Sequence, residues 1–168
     1  LYSNLVYNNT RTGASGTTYC FYASTATVNF YSNKLYNITM SSSGTLYGYY
    51  NAGSPPYEAL YGNKFYSITN SGTGIIYGIY TNPLATTIKL IYSDTLYSFS
   101  SGGTIYGIYN ITGADVRIYK NLIYNFTTTG ASTICYGYYI SSGTAVYIYN
   151  NFISDLKATI STSLTGVN

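Results

Sequence analysis

The sequence predicts an all-β chain wound as a right-handed parallel β-helix, a solenoid with three strands per coil, about 29 residues per coil and nearly six coils. Three observations predict it: a repeat spanning the chain, three short strand-type segments inside each repeat, and a concentration of tyrosine on four repeat positions.

The repeat is anchored by Tyr2-Ser3-Asn4, Tyr31-Ser32-Asn33, Tyr61-Gly62-Asn63, Tyr92-Ser93-Asp94, Tyr119-Lys120-Asn121 and Tyr149-Asn150-Asn151, at spacings of 29, 30, 31, 27 and 30 residues. Coils therefore start near residues 2, 31, 61, 92, 119 and 149, and residues 1–168 read as a single array. Of the 25 tyrosines, 21 fall on four positions of this frame. An antiparallel sandwich also has many short strands but demands no such register, and a leucine-rich repeat would need a leucine framework and a helix.

In the first segment an apolar residue (Val6, Leu35, Phe65, Leu96, Ile123, Ile153) precedes Tyr7, Tyr36, Tyr66, Tyr97 and Tyr124. Neighbours in a strand face opposite ways, so the apolar series is assigned to the core and the tyrosines to the outside.

The second segment reads Leu46-Tyr47-Gly48-Tyr49-Tyr50, Ile76-Tyr77-Gly78-Ile79-Tyr80, Ile105-Tyr106-Gly107-Ile108-Tyr109 and Cys135-Tyr136-Gly137-Tyr138-Tyr139, with Thr18-Tyr19-Cys20-Phe21-Tyr22 as its first copy. Two tyrosines three apart point to opposite faces of an unbroken strand. Tyr19, Tyr47, Tyr77, Tyr106 and Tyr136 share parity with the core-like Phe21, Tyr49, Ile79, Ile108 and Tyr138, and are expected inside. Tyr22, Tyr50, Tyr80, Tyr109 and Tyr139 are then expected outside.

The third segment alternates, as Val28-Asn29-Phe30, Ile88-Lys89-Leu90, Val116-Arg117-Ile118 and Val146-Tyr147-Ile148, with Glu58-Ala59-Leu60 the odd copy. This alignment puts Lys89 and Arg117 at one register on a solvated face. Lys34 and Lys64 also read as solvated, where lysine discourages lateral aggregation. Runs such as Ser41-Ser42-Ser43-Gly44 and Ser71-Gly72-Thr73-Gly74 separate the strands. A single coil cannot bury its apolar face, and stacked coils can.

Asn4, Asn33, Asn63, Asp94, Asn121 and Asn151 stack into one turn position, where asparagine amides form a ladder and tolerate unusual backbone angles. Asp94 places one charge in it.

Composition removes several function classes. A net charge of +3, from seven basic and four acidic residues, is too scattered for nucleic acid. No apolar run of about 18 residues exists, so membrane insertion is not expected. With two cysteines and no histidine, neither a metal site nor a cofactor is expected. Cys20 and Cys135 lie four coils apart, about 19 Å at about 4.8 Å per coil, so both are predicted to be free thiols. The acids Glu58, Asp94, Asp115 and Asp155 share no register in neighbouring coils, so no carboxylate pair is in place for glycoside hydrolysis and no catalytic residue is assigned. The chain begins and stops mid-coil without polar caps. That favours a fragment of a longer solenoid, with neighbouring coils or head-to-tail copies in a fibre as partners.

The phrases Tyr119-Lys120-Asn121-Leu122-Ile123-Tyr124-Asn125-Phe126, Gly103-Thr104-Ile105-Tyr106-Gly107-Ile108-Tyr109 and Tyr149-Asn150-Asn151-Phe152-Ile153-Ser154-Asp155-Leu156-Lys157-Ala158 resemble the Tyr-rich repeats of very large secreted β-helix proteins of Bacteroidota. The resemblance spans the whole chain. It implies export by the type IX route and an extracellular or cell-surface location. It also makes Asp94-Thr95-Leu96 similar to an O-glycosylation signal with Thr95 as acceptor. Independently, Asn8, Asn37, Asn110 and Asn125 open Asn-X-Ser/Thr sequons.

The function expected is structural or adhesive and non-enzymatic: a rigid extracellular stalk or fibre-forming β-helix. The alternative is a glycan-binding β-helix using the outer stripe of Tyr7, Tyr36, Tyr66, Tyr97 and Tyr124. A polysaccharide lyase or a phage tailspike stem would need acids in neighbouring coils.

Overall fold

The computed structural model describes residues 1–24, 27–82, 84–160 and 164–167. The first coil holds β1 (Leu5–Arg11), β2 (Thr18–Ala23) and β3 (Thr27–Tyr31), and the second β4 (Lys34–Met40), β5 (Leu46–Asn51) and β6 (Tyr57–Tyr61). The third holds β7 (Lys64–Asn70), β8 (Ile76–Thr81) and β9 (Ile88–Tyr92), and the fourth β10 (Thr95–Ser101), β11 (Ile105–Asn110) and β12 (Asp115–Tyr119). The fifth holds β13 (Leu122–Thr128), β14 (Cys135–Ile140) and β15 (Ala145–Tyr149), followed by β16 (Phe152–Ala158) and β17 (Leu164–Val167).

Every third strand pairs in parallel, giving three sheets. The first runs β1-β4-β7-β10-β13-β16, the second β2-β5-β8-β11-β14-β17 and the third β3-β6-β9-β12-β15. The expected three-sided parallel solenoid is therefore the fold. Its core is a column of side chains between the sheets, including Phe30, Leu35, Leu46, Leu60, Phe65, Ile76, Leu96, Ile105, Ile118 and Ile123, none with exposed surface.

Two local devices turn the chain and break simple alternation. Ser3, Ser32, Gly62, Ser93, Lys120 and Asn150 have φ between 53° and 64°, all at the corner just before the asparagine ladder. The unusual backbone angle expected of the asparagines thus belongs to their predecessors, which frees the asparagine side chains to point inward. A second series, Asn8, Asn37, Ser67, Ser98, Asn125 and Asp155, has φ between 53° and 57° inside the first sheet. These residues are skipped in the ladder, as in Tyr36↔Tyr66 followed by Ile38↔Ile68, so Leu35 and Ile38 both reach the core. Asn, Ser and Asp suit left-handed positions because their short polar side chains bond locally.

The second sheet corrects the expected parity. Tyr47, Tyr77, Tyr106 and Tyr136 lie outside with Tyr50, Tyr80, Tyr109 and Tyr139, while glycine and the residue after it both face inward. The ladder passes from Tyr47↔Tyr77 to Tyr49↔Ile79, leaving out Gly48 and Gly78. A Cβ on Gly48 would sit 2.5 Å from the Gly78 carbonyl oxygen, so the backbones approach where a side chain would otherwise stand.

The third sheet corrects a register. Lys89 pairs with Glu58 and Val116, and Ile91 with Leu60 and Ile118, so the third coil's triplet is Lys89-Leu90-Ile91 and not Ile88-Lys89-Leu90. A one-residue slip reverses every side chain. Lys89 is consequently buried without exposed surface, and only Arg117 remains on the outer face.

Candidate functional site

Four columns of stacked tyrosine cover the outer surface. Along the corner, Tyr2, Tyr31, Tyr61, Tyr92, Tyr119 and Tyr149 stack with ring centroids 4.8 to 5.1 Å apart. On the first sheet, Tyr7, Tyr36, Tyr66, Tyr97 and Tyr124 stack at 5.0 to 5.3 Å, with ring planes within 12° of parallel. This spacing is the distance between neighbouring strands, so each ring rests on the one a coil away. Lys64 sits over both Tyr66 and Tyr97, 5.4 Å from each centroid.

The second sheet carries two columns side by side. Tyr19, Tyr47, Tyr77, Tyr106 and Tyr136 stack at 4.8 to 5.2 Å, and Tyr22, Tyr50, Tyr80, Tyr109 and Tyr139 at 4.8 to 5.6 Å. Within one coil the two rings meet edge to face, at 67° for Tyr47 with Tyr50 and 88° for Tyr106 with Tyr109. Both arrangements are favoured by the ring quadrupole. Burial, followed by repulsion from neighbouring phenolates, pushes Tyr47 and Tyr106 up to about 12. Tyr47 and Tyr106 are therefore neutral at physiological pH.

Behind the corner column runs the amide ladder. Both the backbone N–H and Nδ2 of Asn33 donate to Oδ1 of Asn63, each at 3.0 Å, and those of Asn63 donate to Oδ1 of Asp94 at 2.8 and 2.9 Å. Asn121 donates in the same way to Asn151, at 2.9 and 3.1 Å, and Asn4 to Asn33, at 3.0 and 2.9 Å. Asp94 keeps the backbone bond to Asn121 Oδ1, at 2.9 Å, but its Oδ2 is buried without a partner. Burial, opposed by the hydrogen bonds from Asn63, pushes its carboxyl up to about 7.

A second polar seam lies inside the corner between the second and third sheets. Glu58 Oε1 accepts from the Tyr49 hydroxyl at 2.9 Å and from Asn51 Nδ2 at 2.8 Å. Lys89 Nζ donates to Thr81 Oγ1 at 2.8 Å and to Asn110 Oδ1 at 2.6 Å. Tyr49, Asn51, Glu58, Thr81, Lys89 and Asn110 are all fully buried. Desolvation lowers the Lys89 amine to about 7 and raises the Glu58 carboxyl. The sequence reading missed this seam. Counting back three residues from Tyr92 and Tyr61 finds it, because that places Lys89 directly over Glu58.

The remaining acids are engaged at the surface, Asp115 by Nε and Nη2 of Arg117 at 2.9 and 2.7 Å and Asp155 by Lys157 at 2.9 Å. Among the described residues no cluster of three metal-ligating side chains occurs, and no helix is long and apolar enough to cross a membrane. Cys20 and Cys135 are free thiols, each pushed up to about 12 by burial.

The sequon asparagines separate into two kinds. Asn8, Asn37 and Asn125 are exposed and occupy the left-handed positions of the first sheet, where Asn37 Nδ2 donates to Asn8 Oδ1 at 3.1 Å. Asn110 is buried against Lys89, Thr81 and Ser142, so its side chain is closed to a glycan. Thr95 is half-buried at the start of β10.

Fold and surface together define a class: a three-sided parallel β-solenoid sheathed in tyrosine columns and pinned internally by an amide ladder. Compared with known proteins, the chain matches no family model, no curated protein and no solved structure.

Proposed function

We propose that this chain is a structural module, a stretch of a rigid extracellular stalk or fibre at the cell surface whose coils supply length and resistance to proteolysis. The observation that carries the reading is the completeness of the tyrosine columns. Ring faces are taken up by the rings one coil above and below, so the aromatic surface is spent on coil-to-coil contact. The four acids support a non-enzymatic role, two being sequestered in the interior and two paired with basic side chains. The extracellular assignment rests on the resemblance of the repeat phrases to those of secreted Bacteroidota β-helix proteins.

A glycan-binding role for the Tyr7 to Tyr124 stripe has less support. Sugar rings stack on open aromatic faces, and the inner rings of this column present edges and hydroxyls. Incubating the purified chain with a panel of polysaccharides and assaying for new reducing ends and unsaturated products tests the main proposal. No release is expected, and turnover of any of them overturns it. Retention on immobilised glycans that disappears in the Tyr66→Ser/Tyr97→Ser variant, with its circular dichroism unchanged, would instead establish the binding role.

A further inference from the structure

The buried seam around Lys89 is not used by the tyrosine columns, and its chemistry is independent of the function proposed above. We propose that Lys89 and Asn110 become joined by an intramolecular isopeptide bond, a covalent rung between the third and fourth coils.

The two reacting groups are already in contact, with Nζ of Lys89 2.6 Å from Oδ1 of Asn110 and neither residue exposed to solvent. Fixing an amine and a carboxamide in one dry pocket replaces a bimolecular encounter by a unimolecular one. The hydrogen bonds around them supply the rest. Thr81 accepts from Lys89 Nζ at 2.8 Å while donating its hydroxyl proton to Asn110 Oδ1 at 3.1 Å, which polarises the carbonyl and links the nucleophile to it by a proton path. The Asn110 amide is held by donation from Nδ2 to the Ser142 carbonyl at 3.2 Å.

The amine must be neutral to attack, and burial lowers Lys89 to about 7. Glu58 is its strand partner in the coil before, and it faces Lys89 as the one charged group that bears on it among the described residues. Its Oε2 has no hydrogen-bond partner. Asn51, the other carboxamide of the seam, is held by Glu58 and by the Gly53 N–H, which leaves Asn110 as the carboxamide in contact with the amine.

The reaction balances without an oxidant or co-reactant. The Lys89 Nζ lone pair forms a bond to Cγ of Asn110, and the Cγ–Nδ2 bond breaks. The proton surrendered by Nζ passes through the Thr81 hydroxyl to the carbonyl oxygen of the tetrahedral centre, and collapse of that centre returns it to the departing nitrogen, which leaves as ammonia.

Intact-mass spectrometry of the folded full chain, held at neutral pH after purification, tests this. The expected mass is that of the sequence less one ammonia, with tandem spectra of a digest showing a branched peptide that joins Lys89 to Asn110. Lys89→Met and Asn110→Ala should each restore the sequence mass. Thr81→Val, which keeps both reacting groups and the fold's register, should slow the loss by at least tenfold. A wild-type mass equal to that of the sequence after prolonged incubation overturns the proposal. So does a loss of ammonia that persists in Lys89→Met, since it would then come from asparagine cyclisation elsewhere.

Discussion

Asp94 donates its backbone N–H to the side-chain carbonyl of Asn121 at 2.9 Å, yet it has no amide nitrogen with which to repeat the second bond that every neighbouring asparagine makes. In Asn63 and Asn121 that nitrogen also reaches a main-chain carbonyl one coil back, Phe30 or Ile91. By register, Oδ2 of Asp94 therefore stands among acceptors and has no donor. A protonated carboxyl resolves the conflict and a carboxylate does not.

The pH dependence follows in sign. Folding raises the Asp94 carboxyl to about 7, so the stability that its neutral form provides is complete below the ordinary aspartate range and is lost as pH rises through about 7. Asp94→Asn should restore the ladder and remove this loss. Thermal melts at pH 5 and pH 8 should show the variant's gain over wild type to be larger at pH 8, by about 1–3 kcal/mol.

In an Asn110→Ala background, where no bond to Lys89 can form, Glu58 and Lys89 should be energetically coupled although each bonds to other residues. Glu58→Gln removes the one negative charge facing a buried amine and Lys89→Met removes the amine, so each single change strands the other group. Urea denaturation of both singles and the double should give a coupling of about 1–3 kcal/mol, the double being more stable than the singles' sum.

Gly107 is closed to any side chain, since a Cβ there would lie 2.5 Å from the Gly137 carbonyl oxygen and 3.1 Å from both Ile123 and Phe126. Gly107→Ala should destabilise by about 1–3 kcal/mol in urea. Asn125, at φ 57°, should tolerate glycine but lose about 1–2 kcal/mol as valine.

Tyr47 and Tyr106, in the paired columns on the second sheet, should titrate late. Phenolate absorbance should show a delayed fraction from Tyr47 and Tyr106 near 12. Their raised values mean that stability is lost as pH climbs above about 10, so alkaline unfolding should accompany the delayed fraction. Tyr77→Ser should bring that unfolding to lower pH, and Tyr7→Ser, at the end of its column with one stacked neighbour, should change it little.

The sequence by itself determined the architecture: the coil starts, the three strands per coil, the core series from Leu35 to Ile123 and the amide ladder at the turn. It could do so because stacking identical coils turns a linear period into a spatial one. The tertiary structure alone decided which way residues face wherever one position drops out of the ladder. Alternation assumes that every residue takes its place in the pairing, and Gly48 and Asn37 do not, so Tyr47 turns out and Ile38 turns in. The glycine recurring at 48, 78, 107 and 137 was the available signal for the first. Lys89 was misplaced because the apolar pattern of Ile88 and Leu90 imitates a strand register that the pairing of Tyr92 with Tyr61 forbids. Its burial against Asn110 is set by the neighbouring coil, which no local pattern contains.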